Sequence, residues 1–551
     1  MTIATTDTAL DELAGDFWTA WLAQHPVYAT AIGERTHDHR IDDNSPAADA
    51  AWRAALATFD HRLDAIDPAG DPVTYAALRE SIATDRAFVD ADLASFNIDP
   101  MDGPQTELLN IPSYQPIGSE ADATALMARW RSIPGFLDQA SANLVRGRSD
   151  GRIGVASLCT KVLEQLDDLI ALPIEEWPLT SPADAWPAIR DEILGVIGEE
   201  IRPAFERYRA VIAEKIAPHA RSDDRAGLSH VPGGADAYAM LARAHTSLEV
   251  DPADVHRIGL EEIRRIDGEF LELGRRLLGT DDLRATLTTL RDDPTLYFST
   301  RDEIAATAVE SLARANAGIG EWFGRQPVAL CEVVVMAAHE EKHSTIAYYR
   351  EPAADGSRPG QYYVNTYAPD TRPRYEAETL AFHESVPGHH LQIAIAQELE
   401  HLPAFRRFLG STAYLEGWGL YTERLSEEMG LLSSEMDRFG VLSFDAWRAA
   451  RLVVDTGLHA LGWTRQRAID YMAQHTALAP NNIANEVDRY IAYPGQALAY
   501  KLGQLEILRL RAEAQDRQGD RFDIRRFHDT VLAEGALPLP VLRQVVERAL
   551  V

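Results

Sequence analysis

A proline and a glycine, Pro387-Gly388, interrupt a stretch that otherwise reads as helix from Glu376 to Leu399. Beyond them Leu391, Ala394, Ile395, Leu399 and Leu402 fall at i, i+3, i+4, i+8 and i+11, an apolar helical stripe. An interior proline removes a helix hydrogen bond and clashes with the preceding turn, at about 3 kcal/mol. The chain therefore cannot pass this point as one straight helix. The interruption separates His383-Glu384 from His389-His390. In an unbroken helix His389 would stand about 9 Å along the axis from His383 and off its face; His390 would share the face at about 10.5 Å. The Pro-Gly pair is expected to kink or bulge the helix and bring a second imidazole round to the first, as bulges often do at functional sites. Taken alone, the spacing fits equally well a Pro-broken helix pair with three surface histidines.

The functional alternative has a clear chemistry. Zinc takes neutral imidazoles and a carboxylate and keeps a fourth position for water. A glutamate beside the first histidine can serve that water as general base, and Glu384 stands there. A further ligand is expected from a following helix, where Leu415 to Glu423 supplies two carboxylates, Glu416 and Glu423. Glu416 lies 27 residues after His389, enough for a helix, a turn and a return. The neighbouring Gly417 and Gly419 let another backbone approach closely, which sets Glu416 apart from the solvated glutamates usual on amphipathic helices. A second motif, His339-Glu340-Glu341-Lys342-His343, has literal HExxH spacing. It lies between strand-like segments, Val333 to Met336 and Thr345 to Tyr349, and reads as a charged, solvated turn or strand end.

Elsewhere helical signals dominate. Asp251-Pro252 before Val255, Ile258, Ile263 and Ile266 is a cap followed by an amphipathic run. Val328 to Met336 is strand-like, and Thr345–Tyr349 with Gln361–Tyr367 flank a polar connection, which suggests a hairpin. The expected fold is mainly α with a small β hairpin or sheet at the active-site cleft. With no internal repeat or low-complexity linker, the boundary is placed near 245–250. It divides a helical N-terminal region, 1–245, from a catalytic helical region with the metal site, 246–551. The 551 residues carry 85 acidic and 53 basic side chains, a net −32, which argues against nucleic-acid or anionic-membrane partners. Cys159 and Cys331 are too few for a disulfide framework or a Cys-rich metal site. No apolar run approaches the roughly 18 residues of a membrane span. The first 34 residues contain no Lys or Arg, so no secretory n-region is read and the expected location is cytoplasmic.

The segment Ala381 to Gln392, AFHESVPGHHLQ, resembles the signature of a bacterial domain-of-unknown-function family of zinc metallopeptidases, gluzincin-like and largely helical. Glu416 to Tyr421, Arg451 to His459, Gly462 to Thr464, Tyr490 to Gln496, Asp355 to Gly360 and Tyr363 to Asn365 resemble the same family. The resemblance spans most of the chain and implies a large helical metallopeptidase-like fold. It implies zinc ligands His383, His389 and Glu416, with Glu384 as base. His389 is preferred to His390 because related motifs end on Gly-His. The family pattern does not use HEEKH.

Arg448, Arg451, Asp455 and His459 fall at i, i+3, i+7 and i+11, a polar stripe in an apolar segment. It reads either as a solvated face or intrahelical pair, or as Arg451 binding a substrate carboxylate or pairing with Asp455 to aim His459 at the cleft. Tyr490 or Tyr493, before the Pro494-Gly495 turn, is a candidate oxyanion donor. Glu378, Glu423 and Asp455 are candidates to orient a ligand histidine. Tyr362–Tyr367 is a candidate for pairing with an extended peptide. The expected activity is zinc-dependent hydrolysis of peptide or amide bonds. The alternatives are a zinc amidohydrolase for one small amide and, in another class, a non-catalytic peptide-binding scaffold.

Overall fold

Caps written in the sequence mark where long helices begin. The Asp251 carboxylate accepts the Ala253 N–H at 2.7 Å and Pro252 takes the first helical position. The computed structural model describes residues 8–337, 341, 345–354, 356 and 358–550. It is mainly α. The helices that position the site are α1 (Gly234–Thr246), α2 (Pro252–Leu277), α3 (Arg374–Glu384), α4 (His389–Gln397), α5 (Thr412–Glu428), α6 (Arg438–His459), α7 (Pro480–Ala492) and α8 (Gln496–Gln518).

Strands β1 (Cys331–Val335), β2 (Ala347–Arg350) and β3 (Gly360–Val364) form one sheet in the order β1-β3-β2. β2 and β3 are the expected hairpin, antiparallel with Ala347 opposite Val364 and Arg350 opposite Gln361. β1 runs parallel to β3, with Cys331 opposite Gly360 and Val335 opposite Val364. β3 is therefore the central strand and pairs on both sides. This corrects the expectation that Tyr362–Tyr367 receives a peptide: residues 362–364 have no free edge. Ala347, Tyr362 and Val364 pack on Phe298, Ile304, Ala308 and on Ala381 of α3, which seats the sheet over the histidine helix.

Two large hydrophobic cores carry the fold. One gathers Trp130, Phe205, Ile266, Phe439 and Val454; the other gathers Phe17, Leu56, Phe382, Trp418 and Leu542. Each draws on both sides of residue 245, so the two halves of the chain bury one another's apolar faces. Within α6 only Arg438 and Trp447 escape full burial. Its polar side chains must therefore find partners inside the protein, as Asp445 does with Lys501 (2.6 Å) and Arg424 (2.5 Å). Helices α5 and α8 cross at two glycines. A Cβ on Gly417 would stand 2.5 Å from the Gly503 Cα, and one on Gly503 would overlap the Ala413 carbonyl oxygen. No described helix is long and apolar enough to cross a membrane.

Candidate metal centre

α3 stops at Glu384 and α4 starts at His389, so residues 385–388 are a true break. The expected kink or bulge within one continuous helix is corrected to two helices. The reasons are local. The Ser385 N–H and Oγ both bond to the Ala381 carbonyl, at 2.9 and 2.5 Å, and close α3. Pro387 has no N–H to extend the ladder, and its carbonyl accepts the Trp418 indole N–H at 3.0 Å. Trp418 is fully buried, so truncating it would cost about 3–5 kcal/mol and release this strap. Gly388 folds back until a Cβ would overlap the His383 and Phe382 carbonyl oxygens. Only glycine fits there.

The break swings His389 beside His383. Their rings stand 4.7 Å apart at 86°. The Glu416 Oε2 from α5 lies 3.9 Å from His383 Nε2 and 3.6 Å from His389 Nε2. Among the described residues these three side chains are the group that could hold a metal ion, each offering one atom within 4.8 Å of the others. His390 points away: its Nδ1 accepts the Tyr349 hydroxyl at 2.9 Å and its Nε2 donates to the Ala329 carbonyl at 3.1 Å. His383 Nδ1 bonds to Glu423 Oε1 at 2.8 Å, which leaves Nε2 to face the group. Gly419 makes the room, since a Cβ there would stand 2.7 Å from His383 Cε1. Glu423 thus orients a histidine, as the sequence suggests. Glu378 instead pairs with Arg314 (2.6 Å) and Ser433 N–H (2.8 Å), and Asp455 accepts the Tyr238 hydroxyl at 2.6 Å.

Electrostatics separate the roles. Burial, with the charges of His389, Arg448 and Arg451, holds His383 well below its ordinary pKa and keeps it neutral. Burial also opposes charge on His389 and Glu416, but their mutual attraction at 3.6 Å wins, raising His389 and holding Glu416 down at about 2. Glu384, half-buried beside them, is pushed by burial up to about 7. Glu423 is pushed by burial to about 8. The three side chains form one donor set, and Glu384 lies close enough to feel the charges of His389 and Glu416.

The remaining expected residues are placed differently. His459 is buried with both nitrogens in use: Nδ1 accepts the Leu228 N–H at 3.1 Å and Nε2 donates to the Tyr490 carbonyl at 2.9 Å. It is a structural link, not a cleft residue. Arg451 pairs with Glu486 (2.9 Å) and the Tyr490 hydroxyl (3.0 Å), not with Asp455. The Tyr490 hydroxyl is spent on Glu486 at 2.7 Å and on the donors Arg451 and Trp447, so it has no hydrogen left for an oxyanion. Tyr493 packs edge-on against His245, ring centres 5.1 Å apart. Of the HEEKH motif, His339, Glu340, Lys342 and His343 lie outside the described residues. Glu341 is buried against Arg301, Oε1 accepting Nη1 at 2.9 Å, so at that position the segment is packed rather than solvated.

One residue escaped sequence reasoning. The Tyr500 hydroxyl, from α8, helps hold Glu416 charged and receives Arg489 Nη2 at 3.3 Å and Gln496 Nε2 at 3.5 Å. The paired glycines were its signal: Tyr500 lies one turn before Gly503, and Glu416 lies beside Gly417 at the same crossing.

No curated protein matches the chain. Two solved structures resemble it. One is described as "the putative lipoprotein from Colwellia psychrerythraea", 26% identical, TM-score 0.92, with 100% of both chains covered. The other is described as "a putative lipoprotein of unknown function from Shewanella oneidensis", 17% identical, TM-score 0.71, covering 98% of this chain and 99% of that one. At that identity the second shares the fold and nothing more specific. A bacterial family of proteins of unknown function, DUF885, matches residues 26–546, and the chain belongs to it.

Proposed function

We propose that the protein is a zinc-dependent hydrolase of peptide or amide bonds. The observation that supports this is the convergence of His383, His389 and Glu416 from three helices, with Glu384 at their side. Family membership adds no activity; the argument is chemical. Ligands about 2.0–2.2 Å from a tetrahedral zinc stand about 3.3–3.6 Å apart. The Nε2–Oε2 separations of 3.6 and 3.9 Å are within about half an ångström of that. Two imidazoles and one carboxylate are a donor set zinc accepts with a position to spare. The fixing of His383 by Glu423 is the carboxylate–histidine support such ligands need.

When bound, zinc supplies a Lewis acid and lowers the pKa of a water toward roughly 7. Glu384 takes the proton from the attacking water and returns it to the leaving amine. Of the two tyrosines, Tyr493 is the one left as the proposed donor to the developing oxyanion, since the Tyr490 hydroxyl is spent on Glu486. An extended substrate pairs with β1, which is an edge of the sheet, rather than with central β3. His390, next to His389, bonds the Ala329 carbonyl just before β1; the exposed Val328 and Leu330 precede the strand and the exposed Val335 ends it.

The test is metal analysis of the purified protein followed by digestion of a peptide library. One bound zinc with cleavage that a chelator abolishes is the expected result; no zinc retained and no hydrolysis after zinc is added would sink the reading. Broad cleavage favours a peptidase, and activity confined to one small amide favours the amidohydrolase. For location, the cytoplasmic expectation stays part of the proposal, against the lipoprotein description of the two structural relatives. Cell fractionation separates them: recovery in the membrane pellet would refute the cytoplasmic assignment.

A further inference from the structure

Beside the candidate metal centre, α6, α7 and α8 bring together more guanidinium than their carboxylates satisfy. Arg451 is 2% exposed and gives Nη2 to Glu486 Oε2 at 2.9 Å, while its Nη1 has no partner. Arg489 leans on the same oxygen at 3.4 Å. That oxygen also accepts the Tyr490 hydroxyl at 2.7 Å and the Trp447 indole at 3.3 Å, so it is oversubscribed. Arg448, 5% exposed, has its nearest carboxylate contact at 3.6 Å, to a Glu423 oxygen already bonded to His383. Its Nε and Nη1 have no partner. Buried cations left short of anions are strongly unfavourable.

The three guanidiniums surround one ring. Arg451 lies 4.3 Å from the Tyr500 centroid, Arg448 and Arg489 each 6.0 Å. Arg448 Nη2 stands 3.6 Å from the same Glu423 oxygen that holds His383 Nδ1 at 2.8 Å. The cationic wall therefore begins one side chain away from a candidate metal ligand. Arg489, its side chain 17% exposed against 6% for Arg448 and 2% for Arg451, keeps the most solvent contact and so is the one an anion reaches first; its Nη2 also bonds Gln496 Oε1 at 2.7 Å. Guanidinium forks match the planar, two-oxygen geometry of a carboxylate.

We propose that this wall binds the C-terminal carboxylate of the substrate, so that the protein cleaves peptides with a free carboxyl end. This rests on the hydrolase reading above. From His383 Nδ1 through one Glu423 oxygen to Arg448 is two contacts, 2.8 and 3.6 Å, so the wall starts within about 6 Å of a candidate ligand. An extended chain advances about 3.3–3.6 Å per residue, so the bond cleaved lies one or two residues from the end. The product is a free amino acid or dipeptide, with the water oxygen on the new carboxylate and its proton on the released amine.

The test is calorimetric and uses the full-length, metal-free Glu384→Gln protein, which cannot turn over. Three versions of one peptide are titrated: free acid, C-terminal amide, and an amide ending in a glutamate residue. The free acid should bind roughly 10- to 100-fold tighter than either amide, the range for a hydrogen-bonded charge. Arg489→Gln should erase that preference without weakening the amides, and Arg489→Lys should restore part of it. Equal binding of acid and simple amide overturns the inference. Equal binding of the acid and the glutamate-ended amide overturns the C-terminal assignment in favour of an acidic side chain. A preference for the acid with no cleavage by zinc-loaded wild type supports the carboxylate site and refutes the hydrolase reading and the release of residues.

Discussion

Replacing Gly419 by alanine puts a methyl group where an imidazole lies. The added Cβ would stand 2.7 Å from His383 Cε1 and 3.0 Å from both ring nitrogens. Non-bonded carbon contacts settle at about 3.5 Å, so the ring must retreat by about 0.5–0.8 Å. It has little freedom to do so, being 3% exposed and held through Nδ1 by Glu423 at 2.8 Å. Metal ligation tolerates an error of about 0.2 Å. Losing the support of a ligand costs about 10–100-fold in metal affinity. A displacement of roughly three times the tolerance belongs at the upper end, about 100-fold or 2.7 kcal/mol. The same substitution in a helix interior favours the helix by about 0.5–1 kcal/mol, which offsets part of the steric strain. Zinc affinity should therefore fall far more than the melting temperature of the metal-free protein. Competition with a chromophoric chelator measures the first and circular dichroism the second. A folded Gly419→Ala protein that binds zinc within about threefold of wild type would refute the geometry argued for His383, since about 100-fold is expected.

Three further outcomes follow from the same geometry. Glu384→Gln should keep its zinc and lose about 10²–10⁴ in kcat; full activity would remove Glu384 as base. Glu423→Gln should fold and bind zinc about 10–100-fold more weakly, and an unchanged affinity would show that the 2.8 Å bond to His383 does no orienting. Asp455 is fully buried beside Tyr238 and the Gly495 N–H, and burial pushes its carboxyl from 3.8 to about 7. The folded state then holds a proton the unfolded chain has released, so this group's contribution is complete below pH 3.8 and is lost as pH rises through about 7. Denaturant melts should show wild type losing stability relative to Asp455→Asn across that window, by at most about 1.4 kcal/mol per pH unit; parallel curves would contradict it.

The centre was legible because its parts are short-range. His383, Glu384 and His389 sit within seven residues of sequence, and Pro387-Gly388 announces that the backbone turns between them. Glu416 was legible through its glycine neighbours. The polar stripe of α6 was not, because a helix buried on nearly every side has no wet face for a stripe to mark. Arg451 and His459 are served instead by Glu486, Leu228 and the Tyr490 carbonyl, partners from distant segments. Tyr500 was lost for the same reason, lying on a helix whose buried residues fall on all faces. The hairpin could be read from alternation and its polar connection. That β1 would join it in parallel, and leave β3 without an edge, depends on pairing across nearly thirty residues and leaves no local trace.

The glycine crossing of α5 and α8 has a consequence for how such a centre can change over time. With backbone resting on backbone, the two helices act as a single beam, and neither can shift without the other. Glu416 on one and Tyr500 on the other are bolted to it. Both side chains keep their places only while the two glycines are kept, since the beam has room for a Cβ at neither.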